Sequence, residues 1–414
     1  MAMPKGPRFP PEIVDMIIDG LSESPASLTD TCVVSQACVP RCRKHLFKEL
    51  TIRNGRKDKG FPEFAEFLRK SPYVGRYIEI LTLSGDPEWV PERKYRDPVD
   101  VVCILSHLPC LNYLELHDMT LHSDPLPPQC VFPKLNMLHL HNIISQDDAN
   151  KAAYTLIRLF PEVDELRLEE ISPGKKRCST ATAEVGPITL NTNCQVRRLS
   201  LELVAPGLHH QLMYDPSVAG SVREVEVDIE DIDRAHALTA LLVSARDRIE
   251  SLSVDLTPFF LREGYDFGLP NARHMLGVLV PGIKACTAIQ KLVLAIGFCR
   301  PARDAYNRTV WNFLIGLLSE LSATIEHITI KFAMPQDESY DMENPWRPSV
   351  KSLRLDWNAL RDRLGQLRKL QTLDIMELEG ARWYFTSEDE TFIGKKLEGL
   401  SCGLTLVRYE KHAM

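Results

Sequence analysis

Val163-Asp164-Glu165-Leu166-Arg167-Leu168 places aliphatic residues at its first, fourth and sixth positions with only charged residues between them. Strand geometry accounts for that spacing, because alternate side chains face opposite sides: Leu166 and Leu168 enter a core while Glu165, Arg167 and Glu169 stay outside. The same hexad begins at Phe47, Ile78, Leu111, Leu135, Val163, Val196, Val222, Ile249, Ile289, Ile325, Val350 and Leu370. A chain this aliphatic would give about ten bare matches by chance, but about two when all three intervening residues must be non-apolar. Eight of the twelve meet the stricter condition, so the recurrence is real.

Successive hexads start 20 to 40 residues apart, and several gaps carry a helical apolar period: 99–108, 148–160, 233–246, 272–285, 310–321, 359–367 and 391–400. Strand followed by helix at this repeat length predicts parallel strands lining a concave face with helices on the convex side. The fold class is therefore expected to be α/β, an irregular leucine-rich-repeat solenoid over 53–414; a non-solenoid α/β domain with a parallel sheet is the alternative. The asparagine that such repeats carry three residues after the last aliphatic is present only as Asn358; Ile143, Ile171, Val204 and Leu378 fill that slot elsewhere. Polar or Pro/Gly-rich stretches at 85–97, 172–194, 205–220, 258–271 and 333–348 read as loops inserted at one rim.

The N-terminal stretch has a different pattern. Residues 1–8 read as a flexible lead, and 9–52 as a small helical module. Pro10-Pro11-Glu12 suits the first turn of a helix, and Ile13, Met16, Ile17 and Leu21 form one apolar stripe, with Val14 and Ile18 widening it. A module of about forty residues cannot bury two apolar faces internally, so one face must meet the body of the chain and another a partner. The residues here resemble the F-box, whose pattern runs Leu-Pro-x-Glu-Ile, Ile-Ile-x-x-Leu, a Leu, a Val-Cys/Ser step, a Trp and a basic Leu-Phe end. This chain has Phe9-Pro10-x-Glu12-Ile13, Ile17-Ile18-x-x-Leu21, Leu28, Val34-Ser35 and Arg43-Lys44-His45-Leu46-Phe47, with Phe9 in place of the Leu and Cys38 in place of the Trp. It looks most like the form common in basidiomycete fungi.

That resemblance implies a substrate-recognition adaptor of a cullin–RING (SCF-type) ubiquitin ligase. Pro10, Glu12, Ile13, Ile17, Leu21, Leu28 and Val34 would touch or shape the surface that docks a Skp-type adaptor, and through it a cullin scaffold. The repeat domain would bind a protein substrate. The alternatives are a leucine-rich-repeat interaction scaffold without ligase recruitment, and an enzyme on an unrecognised α/β fold.

Strand alternation also draws a charge map for the repeat face. Glu165, Glu169, Glu202, Glu224, Glu226, Asp228 and Asp255 fall on outward positions with only Arg167 and Arg198 among them, a negative field suited to a basic segment of a substrate. His117, His139 and His141 fall on outward positions of neighbouring strands, without cysteines in the matching slots, and no metal site is expected there. Arg41, Arg43, Lys44, Lys48, Arg53, Arg56, Lys57 and Lys59 form a basic stretch, and Lys175-Lys176-Arg177 a shorter one.

The 414 residues carry a formal charge of −7, which disfavours a whole-chain nucleic-acid binder, and no membrane partner is expected. Eleven scattered cysteines without a CxxC pair fit reduced thiols in an intracellular protein, cytoplasmic and/or nuclear; Cys103, Cys110, Cys286 and Cys299 read as buried packing. No secretory leader is expected at the N-terminus. GxSxG, GxxxxGK[ST], HExxH and GxGxxG are all absent, so neither catalysis nor a cofactor is expected.

Overall fold

The computed structural model describes residues 10–54, 60–85, 98–121, 132, 134–145, 149–173, 194–262, 269–298, 304–333, 349–377 and 385–407. They divide into two compact units, Met1–Cys194 and Gln195–Met414.

In the first unit, proline opens each of the three leading helices, α1 (Pro11–Gly20), α2 (Pro25–Val34) and α3 (Val39–Lys48), where its missing N–H costs nothing. Ser24 caps α2 by accepting from the Ser27 amide. Arg41 on α3 donates twice to Asp19 on α1, at 2.7 and 2.5 Å, and His45 lies 2.8 Å from the same carboxylate. The Arg41 and His45 contacts hold the Asp19 carboxyl well below the usual carboxylate range. Ile18, Leu28, Cys38 and Cys42 form the small core, with Val14, Leu21, Cys32 and Leu46 against it. Burial, with Cys32 alongside, pushes the Cys42 thiol up to about 11, so it packs as a neutral apolar group.

β1 (Glu49–Arg53) follows α3 directly, then α4 (Phe61–Lys70), β2 (Ile80–Ser84), α5 (Pro98–Leu105), β3 (Tyr113–Leu121), β4 (Leu135–Ser145), α6 (Ala149–Ile157), β5 (Glu162–Glu169) and β6 (Ser172–Pro173). The strands run parallel in sequence order from β1 to β5, with β6 on β4. β1 therefore crosses residue 52 and is already part of the sheet. Two inward rows hold it together: Leu50, Leu81, Leu114, Leu138 and Leu166, then Ile52, Leu83, Leu116, Leu140 and Leu168.

The second unit repeats the plan: β7 (Gln195–Glu202), α7 (Pro206–Met213), α8 (Pro216–Ala219), β8 (Glu224–Asp228), α9 (Ile232–Ser244), β9 (Ser251–Asp255), α10 (Thr257–Arg262), α11 (Leu269–Ala285), β10 (Lys291–Gly297), α12 (Asp304–Leu318), β11 (His327–Ala333), α13 (Trp357–Leu364), β12 (Thr372–Glu377), α14 (Ser387–Lys396) and β13 (Gly403–Val407). Its strands are again parallel and sequential. Leu199, Val225, Leu252, Leu292, Ile328 and Leu373 make one inward row. Behind the later strands an aromatic cluster fills the space: Trp311 and Trp357 have centroids 4.9 Å apart, with Phe298 and Phe332 against Trp311, whose Nε1 donates to the Asp356 carbonyl.

Eleven of the twelve hexads lie on strands, all parallel to their neighbours. The exception is Val350, where Val350–Leu353 is a 3-10 turn. Apolar residues three apart suit a helical turn as well as a strand, and here Asp389 accepts from Ser349 Oγ and the Val350 amide, removing that amide from any ladder. β12 pairs directly with β11 instead. The loop expected at 205–220 is α7 and α8, and β13 was not foreseen. Most of the other four expected loops lies outside the described residues, as do residues 1–8, Arg56, Lys57, Lys59, Lys175, Lys176, Arg177, Cys299 and Leu378. Cys103 and Cys110 are exposed, not buried: Val101, Val102, Ile104 and Leu105 supply the inner face of α5, and Cys110 lies in the turn beyond it. Cys286 is buried, which pushes its thiol up to about 12.

The missing asparagine has a backbone explanation. Regular alternation would point the third residue after the last hexad aliphatic outward. In β3, β4, β5 and β7 the second residue adopts a left-handed conformation, at Asp118 (φ 52), Asn142 (φ 49), Glu170 (φ 54) and Leu203 (φ 51). That single step sends Met119, Ile143, Ile171 and Val204 into the core. From β8 to β11 alternation is unbroken and the second residue is the buried one: Ile229, Leu256, Ile296 and Phe332. In β2 the second residue is Gly85, whose amide donates to the His117 carbonyl; a Cβ there would sit 1.9 Å from the Asp118 carbonyl oxygen.

Candidate interaction surfaces

The leading helices sort their apolar residues between inside and outside. Ile18 and Leu28 are buried, while Met16 is 68% exposed, Val33 85% and Val34 83%, with Ile13 and Ile17 also on the exposed side. The exposed stripe on α1 follows from helical spacing, since Ile13, Met16 and Ile17 share one face and Val14 and Ile18 the other. Pro10 and Glu12 are exposed beside it. Leu21 is half-buried against the small core and Leu28 lies within it, so these two shape the helices from inside and offer no docking surface. Met16 belongs to a stripe already visible in the sequence; Val33, next to Val34, carried no separate signal.

The five exposed side chains amount to roughly 6 kcal/mol of gross hydrophobic free energy if a partner covered them. Isolated exposed aliphatics are ordinary, but five on two short helices of one small module are a feature of interaction surfaces.

The predicted acidic positions divide between the two units. In the first, Glu169 pairs with Arg167 and lies 3.2 Å from His139, and Glu165 is half-buried in the row Tyr113, Met137, Glu165. In the second, Arg198 lies 3.0 Å from Glu224, while Glu202 and Glu226 are exposed. Asp255 accepts from the Thr257 amide at 2.7 Å, starting α10. Asp228 departs from the expected arrangement. It is buried, 3.0 Å from the Arg234 guanidinium of α9, and accepts from the left-handed Leu203 amide at 2.9 Å. Burial raises its carboxyl, with Arg234 and the Leu203 amide opposing. It is a structural brace, not part of an open acidic face.

The three histidines do meet on the sheet. The register aligns Thr82, Glu115, His139 and Arg167 in one outward row and Ser84, His117, His141 and Glu169 in the next. Glu115 Oε1 lies 2.8 Å from His139 Nδ1 and 3.0 Å from His117 Nε2, and Thr82 donates to Oε2 at 3.1 Å. His117 Nδ1 and His141 Nδ1 are 3.3 Å apart. Burial works to raise the Glu115 carboxyl, but His117, His139 and Thr82 hold it below its ordinary value. Glu169 is likewise held low, by Arg167 and His139 against its burial. Among the described residues no group of three or more His, Cys, Asp or Glu side chains is arranged to hold a metal ion. None of the described helices is long and apolar enough to cross a membrane.

No protein-family model matches the chain, and no curated protein matches it. Among solved structures it is similar to the crystal structure of a TLR13–ssRNA13 complex, at 11% identity and a TM-score of 0.31, covering 88% of this chain and 43% of that one. The chain thus spans under half the length of that structure, and a likeness at this level assigns neither family nor ligand.

Proposed function

We propose that this chain is a substrate-recognition adaptor of a cullin–RING ubiquitin ligase. On this reading α1–α3 dock a Skp-type adaptor through Ile13, Met16, Ile17, Val33 and Val34, and the strand–helix repeats bind a protein substrate. The observation that carries the reading is the uncovered apolar surface of α1 and α2, on the helices that hold the F-box-like residues. The chain itself performs no chemistry; it raises the local concentration of substrate near the transfer centre supplied by other subunits. It acts inside the cell, where its cysteines remain reduced.

The second reading, an interaction scaffold without ligase recruitment, is favoured by one residue: Cys38 is buried where the F-box pattern has a tryptophan, and provides far less area. Calorimetric titration of the purified full chain with a purified Skp-type adaptor separates the two. Binding is expected, weakened at least 100-fold in Met16→Asp/Val33→Asp, whose circular dichroism stays that of the wild type. A folded wild-type chain that does not bind the adaptor would sink the ligase reading and leave the scaffold.

A further inference from the structure

His117 and His141 stand on adjacent parallel strands, in register, with Nδ1 atoms 3.3 Å apart. We propose that this pair is a chelating site for a divalent first-row transition ion, with the two Nδ1 atoms as protein ligands and water completing the coordination.

The spacing is the first argument. Two imidazole nitrogens, each about 2.0–2.1 Å from a tetrahedral ion, lie about 3.3 Å from one another. The second is the proton arrangement. Glu115 Oε1 lies 3.0 Å from His117 Nε2, and an ionised carboxylate can only accept, so a neutral His117 is expected to carry its proton on that nitrogen and to present a bare lone pair at Nδ1, toward His141. In the metal-free state His141 Nδ1–H faces that lone pair. An entering ion takes the place of this proton, which moves to His141 Nε2, so both rings stay neutral and no net proton is released. The third is support from behind: a carboxylate on the non-ligating nitrogen fixes the ring and raises its basicity.

The surroundings favour a cation. Glu115 and Glu169 flank the pair directly, with the Arg167 guanidinium paired to Glu169 and Arg53 two strands from His117 in the same row. His139 takes no part as a ligand, because its nitrogens face Glu115 and Glu169; its role is to hold Glu115 in place. Imidazole ligation selects zinc, copper or nickel over magnesium or calcium. Two protein ligands make an exchangeable site, not a closed structural cage.

Calorimetric titration of Zn2+ into the full chain near neutral pH tests the proposal. The comparison proteins are His117→Gln/His141→Gln and, as a remote control, His236→Gln/His274→Gln, a pair whose rings are 6.4 Å apart. One saturable site is expected in the wild type and the control, weakened at least 10-fold in the first variant. In the unaltered chain, Zn2+ is expected to move the ring 15N resonances of His117 and His141, a readout independent of how the variants fold. Zinc binding equal in the wild type and the first variant, or unmoved His117 and His141 resonances at saturation, would overturn it.

Discussion

Acidification acts on one fully buried imidazole. His209 on α7 is completely buried, and neither ring nitrogen has a hydrogen-bond partner among the described residues. Burial, with the Arg234 and His210 charges adding to it, pushes its pKa down to about 3 from an ordinary 6.5. The unfolded chain therefore binds a proton below pH 6.5 that the folded chain refuses until about pH 3. Stability from this residue is complete above pH 6.5 and falls as the pH drops through that window. At about 1.4 kcal/mol per pH unit the loss reaches about 3 kcal/mol at pH 4.5 and about 5 kcal/mol at the bottom of the window. His209→Leu keeps the volume and removes both unpartnered nitrogens. Urea unfolding of wild type and variant from pH 7.5 to 4.5 should show the wild type losing about 3 kcal/mol more than the variant, with the variant about 1–3 kcal/mol more stable at pH 7.5. The raised Asp228 carboxyl nearby works in the opposite sense, gaining stability as the pH falls from its folded value toward the ordinary carboxylate range, but it is present in both proteins and cancels in the difference. Parallel acid limbs in the two proteins would refute the reasoning.

Three further outcomes are measurable by the same unfolding assay at neutral pH. Asp228→Ala, which leaves the buried Arg234 facing Glu230 at 3.2 Å and the Val204 carbonyl at 2.7 Å, should cost about 3–5 kcal/mol, whereas Glu226→Ala on the exposed face should stay within about 0.5 kcal/mol. Gly85→Ala should cost about 2–4 kcal/mol, because the new methyl meets backbone at Asp118 that cannot rotate aside. Trp311→Ala should cost about 3–5 kcal/mol through the cavity left among Phe298, Phe332 and Trp357.

The strands were legible because a period of two is a local property: Leu166 and Leu168 declare their face without help from distant residues. Val350 failed for the same locality, since its spacing to Leu353 serves a helical turn equally and Asp389, far along the chain, decides the outcome. β13 offered only Leu404 and Leu406, too little to stand out. At the candidate sites, the exposed stripe of Ile13, Met16 and Ile17 followed from helical spacing, but the burial of Leu28 depends on α3 closing over it. Asp228 was misplaced because outward parity says nothing about Arg234, which reaches it from the next helix. The convergence of His117 and His141 could be read from the hexads; the tautomer that Glu115 imposes could not.

The left-handed step at Asp118, Asn142, Glu170 and Leu203 gives the chain a way to forget its own irregularity. Each step, inside β3 and β4 and just past β5 and β7, re-registers inside and outside, so whatever length of chain comes next departs from a fixed side. Errors of phase do not accumulate from one turn of the fold to another, and insertions of very different size become tolerable between strands that still align residue for residue. Variation in length is thereby uncoupled from the sheet, leaving the connections free to diverge while the ladder beneath them is preserved.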